Sequence, residues 1–312
     1  MSFHSLNAPR KIHSLDAEIR GAAVLANPGL VAMVSTDPVR LGVCPLGGSA
    51  GKTTNISLSS ADDVALLSKD AAVVRSEGDV WAVLGIQHSP KIDQVGRDAR
   101  LLAARPGGET ALGLGWDESA TEFKLVKNDV EGRQFVLRGS VRAFDVTEAE
   151  TYAVVDAGGE GGELRVHPGA TPEPGASHRA TLPREAKGLD RVRGGQQLSA
   201  IYKRGGSAVC AVVKSAGKLV AKMITLEAAA VDVAVLEGSL FVAFADGRIA
   251  IYSDAAIEGA TGAALAPTNK VQLGGRGEPR VIVATAKGGA TLWIGTSAGE
   301  IFSAAIARKS AG

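Results

Sequence analysis

The sequence predicts an all-β fold built from repeated antiparallel meanders. Two observations lead to this prediction. The 39 glycines of the 312-residue chain recur between short apolar runs, and no segment carries a long apolar stripe at the 3.6-residue period of a helix. The apolar runs are of strand length and rich in β-branched residues, which favours strands. Because 45% of the residues are hydrophobic, we expect a large core and a single domain over residues 1–312.

The clearest repeat covers residues 231–253, where three apolar runs are separated by two turns that pair an acidic residue with glycine, the second being Asp246-Gly247. Such a pair predicts a hairpin, because a type I′ turn needs positive φ at both central residues. Residues 198–224 and 280–306 repeat the same order of strand, glycine turn, strand, glycine turn and strand. The turn glycines lie 9 to 11 residues apart, so each unit is a three-stranded meander.

The N-terminal half carries the same pattern more faintly. Candidate hairpins lie at residues 71–85, 122–137 and 29–43, each with a turn sequence between two apolar runs. Residues 61–69 fit either a short helix or a strand.

Repeated meanders of roughly 40–50 residues are typical of propeller blades, because each meander has two apolar faces that only neighbouring blades can cover. Over about the last 120 residues the blade rhythm resembles that of the WD40-like β-propeller superfold, without its repeating signature dipeptides. The resemblance implies an all-β propeller, and at roughly 45 residues per blade the chain corresponds to about seven (six to eight) small antiparallel blades. We expect the N-terminal strand to complete the last blade and close the ring.

One segment, at about 156–197, departs from this rhythm. It is rich in glycine, proline and charge, and predicts a long loop or linker. A spacer without fixed structure and a partner-binding loop are both open. The basic residues that make it a candidate partner-binding or protease-sensitive loop are Arg184, Lys187, Arg191 and Arg193. We predict that limited proteolysis cuts first between Ala157 and Gly195, because proteases act on flexible backbone.

Residues 47–55 resemble a phosphate-binding loop through Gly51, Lys52 and Thr53. The motif requires a glycine where this chain has Leu46, and it requires a helix directly after the loop, whereas a strand-like run follows here. We therefore reject a phosphate loop and predict a glycine-rich β-turn, which leaves nucleotide binding as the weakest functional alternative.

Other chemistry-bearing residues form no recognisable site. The five histidines lie at no metal-ligand spacing, and the nucleophile elbow Gly-x-Ser-x-Gly is absent. Cys44 and Cys210 sit in apolar surroundings and are expected to be buried free thiols. We predict no catalytic residue, no cofactor and no metal ligand from the sequence.

The charge balance bears on the partners. With 34 basic and 33 acidic residues the chain has no global field for nucleic acid or an anionic membrane, and the basic stretch has no interleaved aromatic residues for base stacking. No signal peptide or membrane-spanning apolar run is present, so we expect a cytoplasmic protein.

The sequence thus favours a non-catalytic protein-interaction scaffold, or a regulatory or inhibitory subunit, with another protein as its partner. The composition, rich in alanine, glycine and arginine, points to a bacterial complex, for which signalling and defence are candidate settings. The alternative is a lactonase- or esterase-like propeller hydrolase with a metal on the axis, whose ligands would come singly from different blades.

Overall fold

The fold was obtained as a computed structural model. It describes residues 2–116, 119–136, 139–157, 160–169, 178–215, 217–260, 265–275 and 277–310. Within these ranges no helix is long and apolar enough to cross a membrane.

Nearly all the regular secondary structure of the described chain is strand. The strands of the first half are β1 (Ser2–Leu6), β2 (Arg10–Ser14), β3 (Ile19–Leu25), β4 (Leu30–Ser35), β5 (Arg40–Pro45), β6 (Lys52–Asn55), β7 (Asp63–Ser68), β8 (Ala71–Ser76), β9 (Asp79–Leu84), β10 (Lys91–Gly96), β11 (Ala99–Ala104), β12 (Thr110–Gly115), β13 (Ser119–Val126) and β14 (Asp129–Val136). Those of the second half are β15 (Val141–Val146), β16 (Glu150–Val155), β17 (Glu163–Pro168), β18 (His178–Thr181), β19 (Arg191–Arg193), β20 (Leu198–Tyr202), β21 (Gly206–Ser215), β22 (Lys218–Leu236), β23 (Ser239–Phe244), β24 (Arg248–Ser253), β25 (Asn269–Gln272), β26 (Pro279–Thr285), β27 (Thr291–Thr296) and β28 (Glu300–Ser310). A 3-10 helix covers Arg184–Ala186, and one short helix, α1, covers Asp254–Gly259.

Among the described residues these strands form six hydrogen-bonded antiparallel sheets. The first four sheets are β3–β6, β7–β10, β11–β14 and β15–β18, the fifth is β19–β25, and the sixth joins β26–β28 to β1 and β2. Apart from β1 and β2, hydrogen-bonded neighbours are consecutive in the chain, as the meander pattern predicts. Residues 61–69, which fitted helix or strand, contain strand β7.

The fifth sheet changes the expected blade count. The first, second, third, fourth and sixth sheets each have four or five strands, which is the size of one blade. The fifth sheet has seven strands. Strand β22 is 19 residues long, and it pairs with β21 mainly through residues 218–225 and with β23 through residues 230–236. No glycine or proline interrupts it, so nothing in the local backbone ends the strand. The prediction of about seven (six to eight) separate blades is corrected: the described chain forms five blade-sized sheets and one continuous double-length sheet.

The sheets surround a central axis. Their innermost strands contact one another in the order β3, β7, β11, β15, β19, β22 and β26, and β26 contacts β3. At the closure, β1 pairs with the end of β28 and β2 with its beginning. The prediction that the N-terminal strand completes the last sheet is therefore confirmed.

Small aliphatic side chains fill the space between sheets. Between the first and second sheets, for example, Val34, Leu41, Leu66 and Val74 are fully buried in one cluster. Each such side chain stabilises the fold by about 1.5–3 kcal/mol relative to exposure. This packing explains how a propeller forms in a chain with only 4% aromatic residues.

The segment at about 156–197 is largely not a loop where it is described. It contributes β17 and β18 to the fourth sheet and β19 to the fifth, with the 3-10 helix between them. Residues 158–159 and 170–177 of this segment lie outside the described residues.

Several innermost strands share a bulge near their start, where one residue is left out of the pairing with the second strand. The bulged residues are Arg20 in β3, Arg100 in β11, Arg142 in β15 and Arg280 in β26. A bulge redirects its side chain, and we call these four residues the bulge arginines.

Candidate functional site

A cavity of about 500 Å³ lies on the central axis. Segments of the innermost strands line it, and most of its wall is small and apolar, as at Ala23, Leu102, Ala234 and Val283. A second cavity, of about 520 Å³, lies next to it and is lined by Glu18 and by the arginines Arg20, Arg204 and Arg280. Arg204 lines both cavities, so its side chain lies between them.

A buried carboxylate, Asp232, organises the polar part of the axial cavity. Its side chain is 0% exposed, and it accepts hydrogen bonds from the Tyr202 hydroxyl and, at 3.0 Å, from the backbone N–H of Ile282. Its Oδ2 atom lies 3.5 Å from Nη2 of Arg193 and 3.9 Å from Nη2 of Arg204. Burial alone would raise the pKa of Asp232, but the two guanidinium groups outweigh burial and hold this pKa below its usual value.

Arg193 and Asp145 extend this cluster toward the fourth sheet, where Asp145 lies on β15 next to β19. Arg193 Nε donates to the carbonyl oxygen of Val233 at 3.2 Å. Asp145 Oδ2 accepts the backbone N–H of Gly194 at 2.8 Å. Burial raises the pKa of Asp145 above its usual value, against the opposing effect of the Arg193 guanidinium group.

Arg204 is the least satisfied cation of the cluster. Its Nε is buried and, among the described residues, has no hydrogen-bond partner. Its ion contact with Asp232 is long, at 3.9 Å. The Arg204 side chain is nevertheless 32% exposed and borders both cavities, so its guanidinium group keeps other donors that a solute there can reach.

The structure divides the four basic residues predicted as a partner-binding or protease-sensitive loop. Arg191 and Arg193 lie on β19 and line the axial cavity. Arg184 and Lys187 lie in and just after the 3-10 helix and are exposed, with Arg184 Nε 2.9 Å from a Glu160 carboxylate oxygen. Two of the four therefore face the axis and two the outer surface.

The residues of the rejected phosphate loop contribute to the packing and hydrogen bonding of the first sheet. Lys52 and Thr53 open strand β6, and Lys52 Nζ donates a hydrogen bond to the backbone carbonyl of Gln87. A Cβ atom on Gly51 would lie 2.3 Å from Cys44 Sγ, so close packing requires glycine there. Strand β6, rather than a helix, directly follows Gly51.

Within the described ranges, no group of three His, Cys, Asp or Glu side chains is arranged to hold a metal ion. The axial carboxylate that an axial-metal hydrolase would use, Asp232, is instead paired with arginines. The hydrolase alternative therefore gains no ligand set from the described residues.

A second candidate site lies at one end of the sheets. Trp116 directly follows β12 and is 75% exposed, the most exposed of the large hydrophobic side chains described, with Val220 at 43%. The guanidinium carbon of Arg100 lies 5.9 Å from the centroid of the Trp116 ring, within cation–π range. Tryptophan and arginine are the side chains most enriched at the energetic centres of protein interfaces.

Hydrogen bonds of two bulge arginines, Arg100 and Arg142, link the surroundings of Trp116 to the 3-10 helix. Arg100 Nη1 donates to the carbonyl oxygen of Arg142 at 2.8 Å, and Arg142 Nη2 donates to that of Ala186 at 3.2 Å. The exposed residues Arg184 and Lys187 thus lie at the same end of the sheets as Trp116. We call this surface the Trp116 face, defined by Arg100, Trp116, Arg142, Arg184 and Lys187.

Sequence reasoning missed Trp116, Arg204 and Asp232. For Trp116 a signal existed: it is one of three tryptophans in an aromatic-poor chain, and it begins the chain's single Trp-Asp dipeptide. That dipeptide follows the second strand of the third sheet and does not recur in the other sheets, and its Asp117 lies outside the described residues.

Comparison with known proteins defines the fold and nothing narrower. No protein-family model and no curated protein sequence matches the chain. The chain is similar to the crystal structure of Raptor from Chaetomium thermophilum, with a TM-score of 0.68 and 9% sequence identity. The similarity covers 97% of this chain but only 30% of Raptor. At this identity the likeness concerns the fold alone, and together with the ring of small antiparallel sheets it identifies the chain as a β-propeller without family signatures.

Proposed function

We propose that this chain is a non-catalytic protein-interaction scaffold or regulatory subunit that binds another protein through the Trp116 face. The observation that carries the proposal is the 75% exposed Trp116 ring beside the Arg100 guanidinium. A partner that covers the ring would bury a large apolar area, and it would also desolvate the neighbouring cation, which strengthens the cation–π contact.

The ring lies on a rigid support. Besides its bond to Arg142, the Arg100 guanidinium donates to the carbonyl oxygens of Gly115, at 3.2 Å, and Val141. Because these backbone groups belong to two adjacent sheets, the guanidinium is fixed before a partner arrives. A preordered contact surface loses less conformational entropy on binding, which increases affinity.

The charge of the face favours a particular partner surface. Arg184 and Lys187 are exposed at the same end of the sheets as the Trp116 ring. Arg184 is paired with Glu160, and Glu185 is exposed between Arg184 and Lys187, so the face carries both charges. The complementary surface is therefore an apolar pocket with a rim of mixed charge.

The proposal extends to the organisation and setting of the chain. We propose a single propeller domain over residues 1–312, supported by the pairing of β1 and β2 with β28. A bacterial signalling or defence complex is the setting that we propose, on composition alone.

The test is affinity purification of the tagged chain from its native host, with co-eluting proteins quantified for three forms of the protein. The forms are the wild type, Trp116→Ser, and Val220→Ser as the matched control for loss of an exposed apolar side chain. We expect a stoichiometric partner that is lost with Trp116→Ser and retained with Val220→Ser. A wild-type chain that elutes alone, or a partner that Trp116→Ser retains, would overturn the proposal.

A further inference from the structure

Two guanidinium groups meet at one buried carboxylate in the axial cavity. Those of Arg193 and Arg204 share the carboxylate of Asp232, at 3.5 and 3.9 Å. A third, on Arg191, lines the same cavity. The Arg193 and Arg204 side chains are each 32% exposed, so they keep donors that a solute in the cavity can reach.

Among the described residues, four other carboxylates line the cavity, those of Asp63, Asp145, Glu148 and Glu237, so the lining carries charges of both signs. Asp63 is held by Arg75, whose Nε lies 2.8 Å from Asp63 Oδ2. Asp145 directs one oxygen to the backbone N–H of Gly194. Glu237 pairs with Arg308, so these three carboxylates have partners of their own, while the Arg193 and Arg204 guanidinium groups converge on Asp232.

The cavity has the size and wall of a small-molecule site. Its volume of about 500 Å³ falls within the roughly 300–1,000 Å³ of ordinary ligand pockets. Small apolar side chains form much of its wall, and the guanidinium groups at Asp232 supply hydrogen-bond donors to it. The cavity is also bordered by β3, β7, β11 and β15. Each of these is the edge strand of its sheet, so one side of it has no hydrogen-bonded neighbour within that sheet.

We propose that the axial cavity binds a small molecule through a phosphate or carboxylate group, held by the guanidinium groups of Arg193 and Arg204. Guanidinium groups match both anions in a two-pronged geometry. The anion accepts hydrogen bonds from the guanidinium donors of Arg193 and Arg204 that remain exposed. This site is separate from the Trp116 face and does not depend on partner binding.

The test is isothermal titration calorimetry of the extensively dialysed full chain with pyrophosphate and, separately, citrate. Three forms are compared: the wild type, Arg204→Gln, and Arg184→Gln as the control, because Arg184 is an exposed arginine outside both cavities. We expect saturable binding at one site, at least about tenfold weaker in Arg204→Gln and unchanged in Arg184→Gln. The probe that binds more tightly identifies the phosphate or the carboxylate as the preferred group.

Three results would overturn the proposal: neither probe binds saturably up to about 10 mM, Arg204→Gln binds as the wild type does, or Arg184→Gln weakens binding equally.

A second measurement needs no variant. Phenylglyoxal modifies exposed arginines, and the bound probe should protect the peptide that contains Arg204 but not the one that contains Arg184. Absence of that protection would also overturn the site. Trp116→Ser should leave probe binding unchanged, so failure of the Trp116 face and failure of this site are distinguishable.

Discussion

Arg142 joins its own sheet to the start of the next one through the carbonyl oxygen of Leu189, which accepts a hydrogen bond from Arg142 Nε at 2.9 Å. The same guanidinium group donates to the carbonyl oxygens of Gly161, at 2.7 Å, and Ala186, at 3.2 Å. Arg100 forms the equivalent link one sheet earlier, to the carbonyl oxygens of Val141 and Arg142. These two bulge arginines therefore bond adjacent sheets to each other through backbone groups.

Replacing Arg142 with methionine should lower the free energy of unfolding by about 1–3 kcal/mol, because its carbonyl partners lose their donor while partly buried. Arg20→Met is the matched control. Arg20 occupies the same bulge position, but its side chain is 48% exposed against 12% for Arg142, and it bonds Glu18. We expect its loss to cost less than about 1 kcal/mol. Urea unfolding measures both, and equal losses would contradict the sheet-joining role.

The same contacts should govern proteolysis of residues 157–195, which remain the predicted first region of cleavage. Arg184 and Lys187 are exposed trypsin sites next to Ala186, whose carbonyl Arg142 holds. Arg142→Met should therefore speed trypsin cleavage after these two residues, because a segment must leave its contacts to enter a protease. Mass spectrometry of early fragments measures this rate. Cleavage that begins elsewhere in both forms would count against the prediction.

Asp232→Asn should destabilise the protein at pH 7 by about 1–3 kcal/mol, because it weakens the hydrogen bonds of a fully buried carboxylate and leaves two guanidinium groups, each 32% exposed, without their counter-ion. It should also change the response to acid. The pKa of Asp232 is lowered in the folded state, so its contribution is fully present above its ordinary pKa of 3.8 and is lost as pH falls through the lower folded value.

The free energy of unfolding of the wild type should thus fall more steeply below about pH 4 than that of Asp232→Asn. Chemical denaturation at a series of pH values measures both curves. Asp16→Asn serves as the control, since its side chain is 76% exposed. Parallel curves for wild type and Asp232→Asn would refute this account of the buried carboxylate.

Both thiols should be unreactive in the folded protein. Burial raises the pKa of Cys44 to about 11 and that of Cys210 to about 12, and burial also blocks access to reagents. A disulfide reagent such as dithionitrobenzoate at pH 8 should therefore label neither cysteine in buffer and both in denaturant. Rapid labelling of either thiol without denaturant would show that its sheet opens or packs differently.

Two tryptophans should differ sharply in their effect on stability. Trp293 is 0% exposed, in the cluster between the sixth and first sheets, and its replacement by alanine should cost about 3–5 kcal/mol. Trp116→Ser should change stability by less than about 0.5 kcal/mol, because the ring lies mostly in solvent. Thermal and urea unfolding measure both. A large loss with Trp116→Ser would mean that the ring supports the fold rather than a partner.

The sequence prediction was most successful where backbone preferences act within a few residues. The segment 231–253 forms a hairpin at each predicted turn, β22–β23 and β23–β24. At the first turn both central residues, Glu237 and Gly238, have positive φ, as the type I′ geometry requires. At the second turn only Gly247 does, so the hairpin was predicted correctly but its turn type was not.

The sequence by itself determined the strands, their turns and the repeated antiparallel order, because glycine conformation and apolar alternation are properties of neighbouring residues. Only the tertiary structure decided that β22 runs unbroken through two meanders, that Trp116 stays outside the packing, and that Arg193 and Arg204 converge on Asp232. These relationships depend on closing the ring, which places residues from distant parts of the chain around one axis. No local spacing encodes that proximity, since it arises from the packing of whole sheets against each other.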